Sequence, residues 1–288
     1  MVLLWLAAMS WLVSRKVLPP LMVGEPPSYA TILASDADQP PVGWTLSLNG
    51  RRIGWALSST VRLPNEMTEV RSRVHFNRLP LEELTPAWVR ILLRPGEPSV
   101  SSLEMEAESL LSFDPLGRLV SFDSSLHARP LRDLLTMRGT VEGTQMKLAI
   151  HSGELSYNTE FYLPPKAILA DSLSPQARLP GLRARQTWTV PSYNPMRPPN
   201  SPMEILLATV EGRETTEWNG RREEAWLVVY RDDPGAGRGG ERATRGRLWV
   251  RPDGTVLRQQ VMVFDSFLTF VRMSDDRARK LAAEAQDP

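Results

Sequence analysis

The side chains most often used for chemistry are sparse in this chain. There are three histidines, His75, His127 and His151, and no cysteine. No two of the histidines fall at metal-ligand spacing within one element, so no metal ligand is assigned. A Ser-His-Asp set can be drawn from Asp123, Ser124 or Ser125, and His127. Residues so close in sequence do not meet by default, and no Gly-x-Ser-x-Gly elbow presents a nucleophile. Glu104, Glu106 and Glu108 alternate along one segment. On a strand such carboxylates stand about 7 Å apart on one face; paired carboxylates can do acid–base work, but a row of this kind also suits a solvated face paired across strands with Arg71 and Arg73. Asp114, Asp123 and Asp133 lack calcium-loop spacing. The cluster Gly235-Ala236-Gly237-Arg238-Gly239-Gly240 runs into Glu241-Arg242-Ala243 rather than the Lys-Ser/Thr of a phosphate loop, and reads as a hairpin loop. No catalytic residue, cofactor or metal is therefore expected. The lack of cysteine excludes disulfides, thiolate metal sites and a thiol nucleophile.

The elements that would position these residues read mostly as strands, because the hydrophobic period is two. Ile53, Trp55, Leu57, Ser59 and Val61 alternate with small or polar neighbours, as do Val70, Ser72, Val74 and Phe76, then Leu103, Met105 and Ala107, then Met146, Leu148 and Ile150. Asn49-Gly50, Asp114-Pro115-Leu116-Gly117, Ser152-Gly153, Asn219-Gly220 and Asp253-Gly254 separate strand runs with turn chemistry. Ile205–Val210, Ala225–Tyr230, Gly246–Val250 and Thr255–Phe264 continue the β pattern, and Ala225–Tyr230 is apolar enough to be buried on both faces. Helices are expected at Leu81–Leu93, from Pro165 to Ser172, and at Asp275–Gln286 with Ser274 as N-cap. Asn-Gly-Arg-Arg followed by Trp occurs twice, ending at Trp55 and Trp226; duplication and two ordinary hairpins both explain it.

Met1 to Val13 carries no charge. It is the length of a secretory apolar stretch but lacks a basic start and an Ala-x-Ala site, and is shorter than the roughly 20 residues of a full span. An uncleaved signal-anchor over 1–18 is expected, its true start upstream of Met1 being left open. Arg15 and Lys16 follow the run and favour a cytoplasmic body; the reading adopted places the body outside. Pro19-Pro20, Pro26-Pro27 and Pro40-Pro41 make 19–41 an extended stalk.

Apolar residues are 42% and charged residues 23% of 288, ordinary for a folded protein. Thirty-four basic and 33 acidic residues leave a net charge of +1, with no overall attraction for nucleic acid.

The anchor, the stalk Pro19-Pro20-Leu21-Met22-Val23-Gly24-Glu25-Pro26-Pro27 and the strand pattern resemble uncharacterised bacterial membrane-anchored β-domain proteins. The run Leu248-Trp249-Val250-Arg251-Pro252-Asp253-Gly254-Thr255-Val256-Leu257-Arg258 is distantly similar to lipoprotein-carrier (LolA-like) half-barrels and to β-domains that precede transglutaminase-like domains. The resemblance implies an extracytoplasmic, non-catalytic domain. The Cys-His-Asp machinery of transglutaminases is impossible without cysteine.

The expected architecture is mainly β: antiparallel curved, half-barrel-like sheets, as one body or two related units. The parts are an anchor (1–18), a proline-rich stalk (19–41), a first β unit (42–172), a proline-rich linker (173–202), a second β unit (203–273) and a C-terminal helix and tail (274–288). A candidate apolar groove is lined by Trp55, Val74, Phe76, Trp88, Leu103, Met105 and Ile150. The functional expectation is a membrane-anchored binding or scaffold module in the bacterial envelope. Its partners would be the membrane through the N-terminus and an envelope protein or a lipid, with no nucleic acid. The alternatives are a carrier of a lipid or lipidated chain, and a hydrolase of unrecognised type.

Overall fold

The computed structural model describes Trp5, Met9, Trp11 and residues 29–37, 39–79, 103–129, 134–153, 155–163, 168–169, 174–193, 203–232, 242–263 and 266–285. Those from 29 onward form fifteen strands and two helices. The strands are β1 (Val42–Leu48), β2 (Arg51–Arg62), β3 (Thr68–Leu79), β4 (Leu103–Phe113), β5 (Leu119–Arg129), β6 (Leu135–Glu142), β7 (Gln145–Ser152), β8 (Leu155–Tyr162), β9 (Ile168–Leu169), β10 (Thr187–Tyr193), β11 (Met203–Trp218), β12 (Arg221–Asp232), β13 (Thr244–Val250), β14 (Val256–Val263) and β15 (Ser266–Arg272). The helices are α1 (Tyr29–Asp36) and α2 (Asp275–Glu284).

All fifteen strands belong to one sheet, in the order β8-β7-β6-β5-β4-β3-β2-β1-β15-β14-β13-β12-β11-β10-β9. Every neighbouring pair is antiparallel except β9–β10. The chain starts in the middle of the sheet, meanders outward to β8, crosses to the opposite edge, and meanders back until β15 pairs with β1, Leu46 facing Phe270. The runs 42–172 and 203–273 are thus hydrogen-bonded into a single sheet. Asn49-Gly50 and Asn219-Gly220 supply two of its hairpin turns, with φ of 49° and 82° and of 50° and 73°, as a two-residue type I′ loop requires.

The sheet is strongly curved. Helix α1 touches the β4–β5 turn at one end, where a Cβ on Gly117 would stand 2.5 Å from the Ala30 nitrogen. Near its other end the Ser35 carbonyl accepts a hydrogen bond from Arg178, which bridges to Thr255 beside β14. Eight helical residues span about 12 Å, whereas five strand spacings of a flat sheet span about 24 Å. Curling brings those strands around α1.

The inner face carries the core. Trp44, Leu46, Ala56, Val74, Val228, Leu248, Val250 and Phe270 form its main cluster together with Ile32 of α1. A second cluster joins Leu111, Phe113, Phe122, Met146 and Leu148 to Leu33 of the same helix. Full burial of each large side chain contributes about 1.5–3 kcal/mol. Helix α2 lies on the outer face, where Ala278 seats against Gly43.

Several expectations change. Within the expected stalk 19–41, residues 29–36 are helical; Ala30, Ile32, Leu33 and Ala34 favour a helix after the proline pairs, and Ile32 and Leu33 are buried. The proline-rich stretch 173–202 contains β10. Ala177 and Leu179 within it are core residues, and the Val256 nitrogen donates to the Ala177 carbonyl. Where a helix was expected at 165–172, Ile168–Leu169 is a strand paired with β10; Pro164-Pro165 starts a helix only if the next residues are not captured by a sheet edge. The C-terminal helix forms as expected, with Ser274 extended at its N-cap position but making no side-chain cap bond. The Leu81–Leu93 segment lies outside the described residues. So does the anchor, apart from Trp5, Met9 and Trp11, which are helical and exposed; among the described residues no helix is long and apolar enough to cross a membrane.

Candidate functional site

Strand periodicity places Trp55, Val74, Phe76, Met105 and Ile150 on both faces and in two clusters. Val74 and Phe76 are buried in the main cluster and Met105 packs beside them, while Ile150 packs on the second cluster. Trp55 faces outward: a bulge at Ile53, where Leu46 opposes Gly54 and Ser47 opposes Arg52, resets the alternation. Ile53 reaches the core, and Trp55 stacks on His75 outside, ring centroids 5.4 Å apart. Leu103 opens β4 opposite Leu79, and Trp88 lies outside the described residues. The five whose side chains are described do not line one groove.

The two core clusters are divided by hydroxyls. Ser58, Ser72, Ser109 and Ser124 oppose one another in sequence across β2, β3, β4 and β5 on the inner face. Ser58 accepts a long hydrogen bond, 3.4 Å, from the Trp44 indole. The buried Ser72 and Ser109 hydroxyls have no partner among the described residues. A buried hydroxyl left unpaired costs about 1–3 kcal/mol, so this seam subtracts from the stability of the core.

On the outer face the carboxylate row behaves as one of its two readings. Arg73 reaches Glu108 at 2.7 Å and Glu106 at 3.0 Å, and donates to the Ala285 carbonyl at the end of α2. Arg71 pairs instead with Glu69 on its own strand. His75 stands 3.5 Å from Glu104. Ser125 and His127 do meet, Oγ to Nε2 3.1 Å, because alternate residues of a strand share a face. Asp123 shares that face but is taken by Arg138 at 2.8 Å, four residues and about 13 Å along the strand from His127, while Ser124 points inward. No three acidic or histidine side chains among the described residues are grouped to hold a metal ion.

The feature that periodicity alone does not reveal is the sheet's open side. Leu163 donates its N–H to Thr144 at 2.8 Å, continuing the β7–β8 register. Alternate residues of an antiparallel strand point their backbone groups to one neighbour, so Leu155, Tyr157, Thr159 and Phe161 bond to β7. The N–H and C=O groups of Ser156, Asn158, Glu160 and Tyr162 therefore point to the edge that no strand among the described residues covers. The opposite edge is protected. There β9 is two residues long, and the same reasoning from Val210 donating to Gln186 turns Pro191, which has no N–H, outward. Strand β8 contains neither Pro nor Lys, the usual guards of an edge. Its inner side chains Leu155 and Tyr157 are 77% and 46% exposed, and Tyr162 on the outer side is 55% exposed.

No protein-family model matches the chain, and no curated protein matches its sequence. Among solved structures it is similar to a β-barrel-like protein of domain of unknown function DUF1849 from Brucella abortus. That likeness has 9% identity, a TM-score of 0.48, and covers 81% of this chain and 95% of the other. It is also similar to a DUF1089 family protein from Pseudomonas aeruginosa, with 14% identity, a TM-score of 0.34, and coverage of 70% and 87%.

Proposed function

We propose that this protein is a non-catalytic binding module that takes an extended polypeptide segment at the open edge of its sheet. The observation that carries the reading is β8, whose backbone groups at Ser156, Asn158, Glu160 and Tyr162 have no strand partner among the described residues and whose neighbours Leu155 and Tyr157 are exposed. Strand addition satisfies such groups with main-chain hydrogen bonds, while alternate side chains supply selectivity. A segment with apolar residues at alternate positions would cover Leu155 and Tyr157. In this proposal the apolar segment 1–18 holds the body to a membrane on the extracytoplasmic side, the partner is an envelope protein, and neither a cofactor nor nucleic acid takes part.

A lipid or lipidated chain is the second reading, favoured by the exposure of Leu155 and Tyr157 on the inner face. The two separate in one experiment. The full-length protein and its Asn158→Pro variant are purified gently from membranes, then analysed by native mass spectrometry. Proline removes an outward N–H and leaves the β7 ladder intact. A single envelope polypeptide that accompanies the parent and leaves the variant, with an unchanged melting temperature, supports strand addition. A bound lipid retained by both forms supports the carrier. A bare chain, or a polypeptide held equally by both, refutes the edge as the site.

A further inference from the structure

We infer that the outer face of β13 and β14 is an oxyanion site, built by Arg247 and Arg258 and suited to a phosphate group. It lies apart from the β8 edge and does not depend on that edge's function.

Arg247 opposes Gln260 and Arg258 opposes Trp249, so the two arginines are diagonal neighbours on one face, with Cβ atoms about 7–8 Å apart. Each guanidinium lies over an aromatic ring. Arg258 sits 4.8 Å from the Trp249 centroid and Arg247 5.6 Å from that of Phe267. Trp249 is itself held, its indole N–H donating to Glu214 at 3.0 Å. The rings fix both guanidinium groups before any ligand arrives.

Neither arginine has a carboxylate partner among the described residues, although most of the half-buried arginines described have one: Arg73, Arg178, Arg231, Arg245 and Arg251 all pair with Asp or Glu. The Nε of Arg258 is buried with no acceptor. Burial, and then the neighbouring Arg247 charge, push the Arg258 guanidinium below its usual range. Two adjacent cations with unused donors are what a tetrahedral oxyanion satisfies, since guanidinium donors match phosphate oxygens bidentately. Gln260 between them donates to Thr269 at 3.2 Å, which leaves its carbonyl to accept from a protonated phosphate oxygen.

The source of the phosphate is a free anion or a lipid headgroup. The full chain in non-ionic detergent is titrated calorimetrically with inorganic phosphate and, separately, with dihexanoyl phosphatidylglycerol below its micelle concentration. Saturable binding of either probe, weakened at least tenfold in Arg258→Gln and lost in Arg247→Gln/Arg258→Gln, supports the site, and the tighter probe identifies the source. Arg221→Gln/Arg222→Gln removes the same charge from two exposed positions and should leave binding intact. No binding of either probe to the parent, equal binding to the double variant, or equal loss in the Arg221/Arg222 control overturns the proposal. Circular dichroism of every variant separates loss of binding from loss of fold.

Discussion

Phe122 lies directly over Gly139 on the neighbouring strand, so that a Cβ at position 139 would stand 2.0 Å from the Phe122 ring. The ring is almost fully buried and anchors the second core cluster. Gly139→Ala must displace it. Overpacking of this kind costs about 1–3 kcal/mol, and the loss should appear as a lower urea midpoint with an unchanged slope.

Helix α2 depends on a similar closeness. A Cβ at Gly43 would stand 3.0 Å from the Ala278 Cβ and 3.1 Å from its Cα. Gly43→Val should lift the helix from the sheet, and trypsin should then cut after Arg277, Arg279 and Lys280 at least tenfold faster than in the parent. Arg73→Ala removes only the half-buried tie to Ala285 and the ion pairs with Glu106 and Glu108, so its cost should stay near 0.2–1 kcal/mol.

Asp36 at the end of α1 makes stability fall with rising pH. Burial raises its pKa more than Arg178 and Arg272 lower it. The folded chain therefore keeps this proton to a higher pH than the unfolded chain, and binds more protons between the two pKa values. Stability falls as pH rises through that window, which begins near pH 4. Denaturant midpoints at pH 4 and pH 7 should differ less for Asp36→Asn than for the parent.

Two turn aspartates act in the opposite direction. Burial alone would raise Asp114 and Asp253. The backbone N–H and guanidinium of Arg118 and the N–H of Leu116 outweigh it for Asp114, and Thr255 with Arg251 and Arg178 for Asp253. Both carboxyls titrate below the ordinary range, so their contribution is present above about pH 4 and is lost as pH falls through the folded values. Asp114→Asn/Asp253→Asn should be less stable at pH 7 yet lose less on acidification, as scanning calorimetry at pH 7 and pH 3 would show.

What could be read from sequence follows the range of the interaction. The hairpin turns at Asn49-Gly50, Asn219-Gly220 and Asp253-Gly254 are local, and so was the alternation of Val70 to Phe76 and of Met146 to Ile150; all appear in the sheet. The face of Trp55 was not legible, because one bulged residue at Ile53 inverts every side chain after it. Trp55 faces outward while Trp226 packs on the inner cluster, so the shared Asn-Gly-Arg-Arg hairpins do not place their tryptophans alike. The contrast between β8 and the guarded edge at Pro191 depends on which strands end the sheet. That is set by pairing across the whole chain, as is the juxtaposition of Arg247 with Arg258.

The seam between β1 and β15 has a consequence for biosynthesis. Trp44 finds Arg272 only after all the intervening strands have been made, so β1 emerges from the ribosome long before its second neighbour exists. Such distant pairing slows assembly. Until it is made, the backbone groups of β1 that face β15 are unpaired, and the nascent protein should need a holding chaperone during that interval.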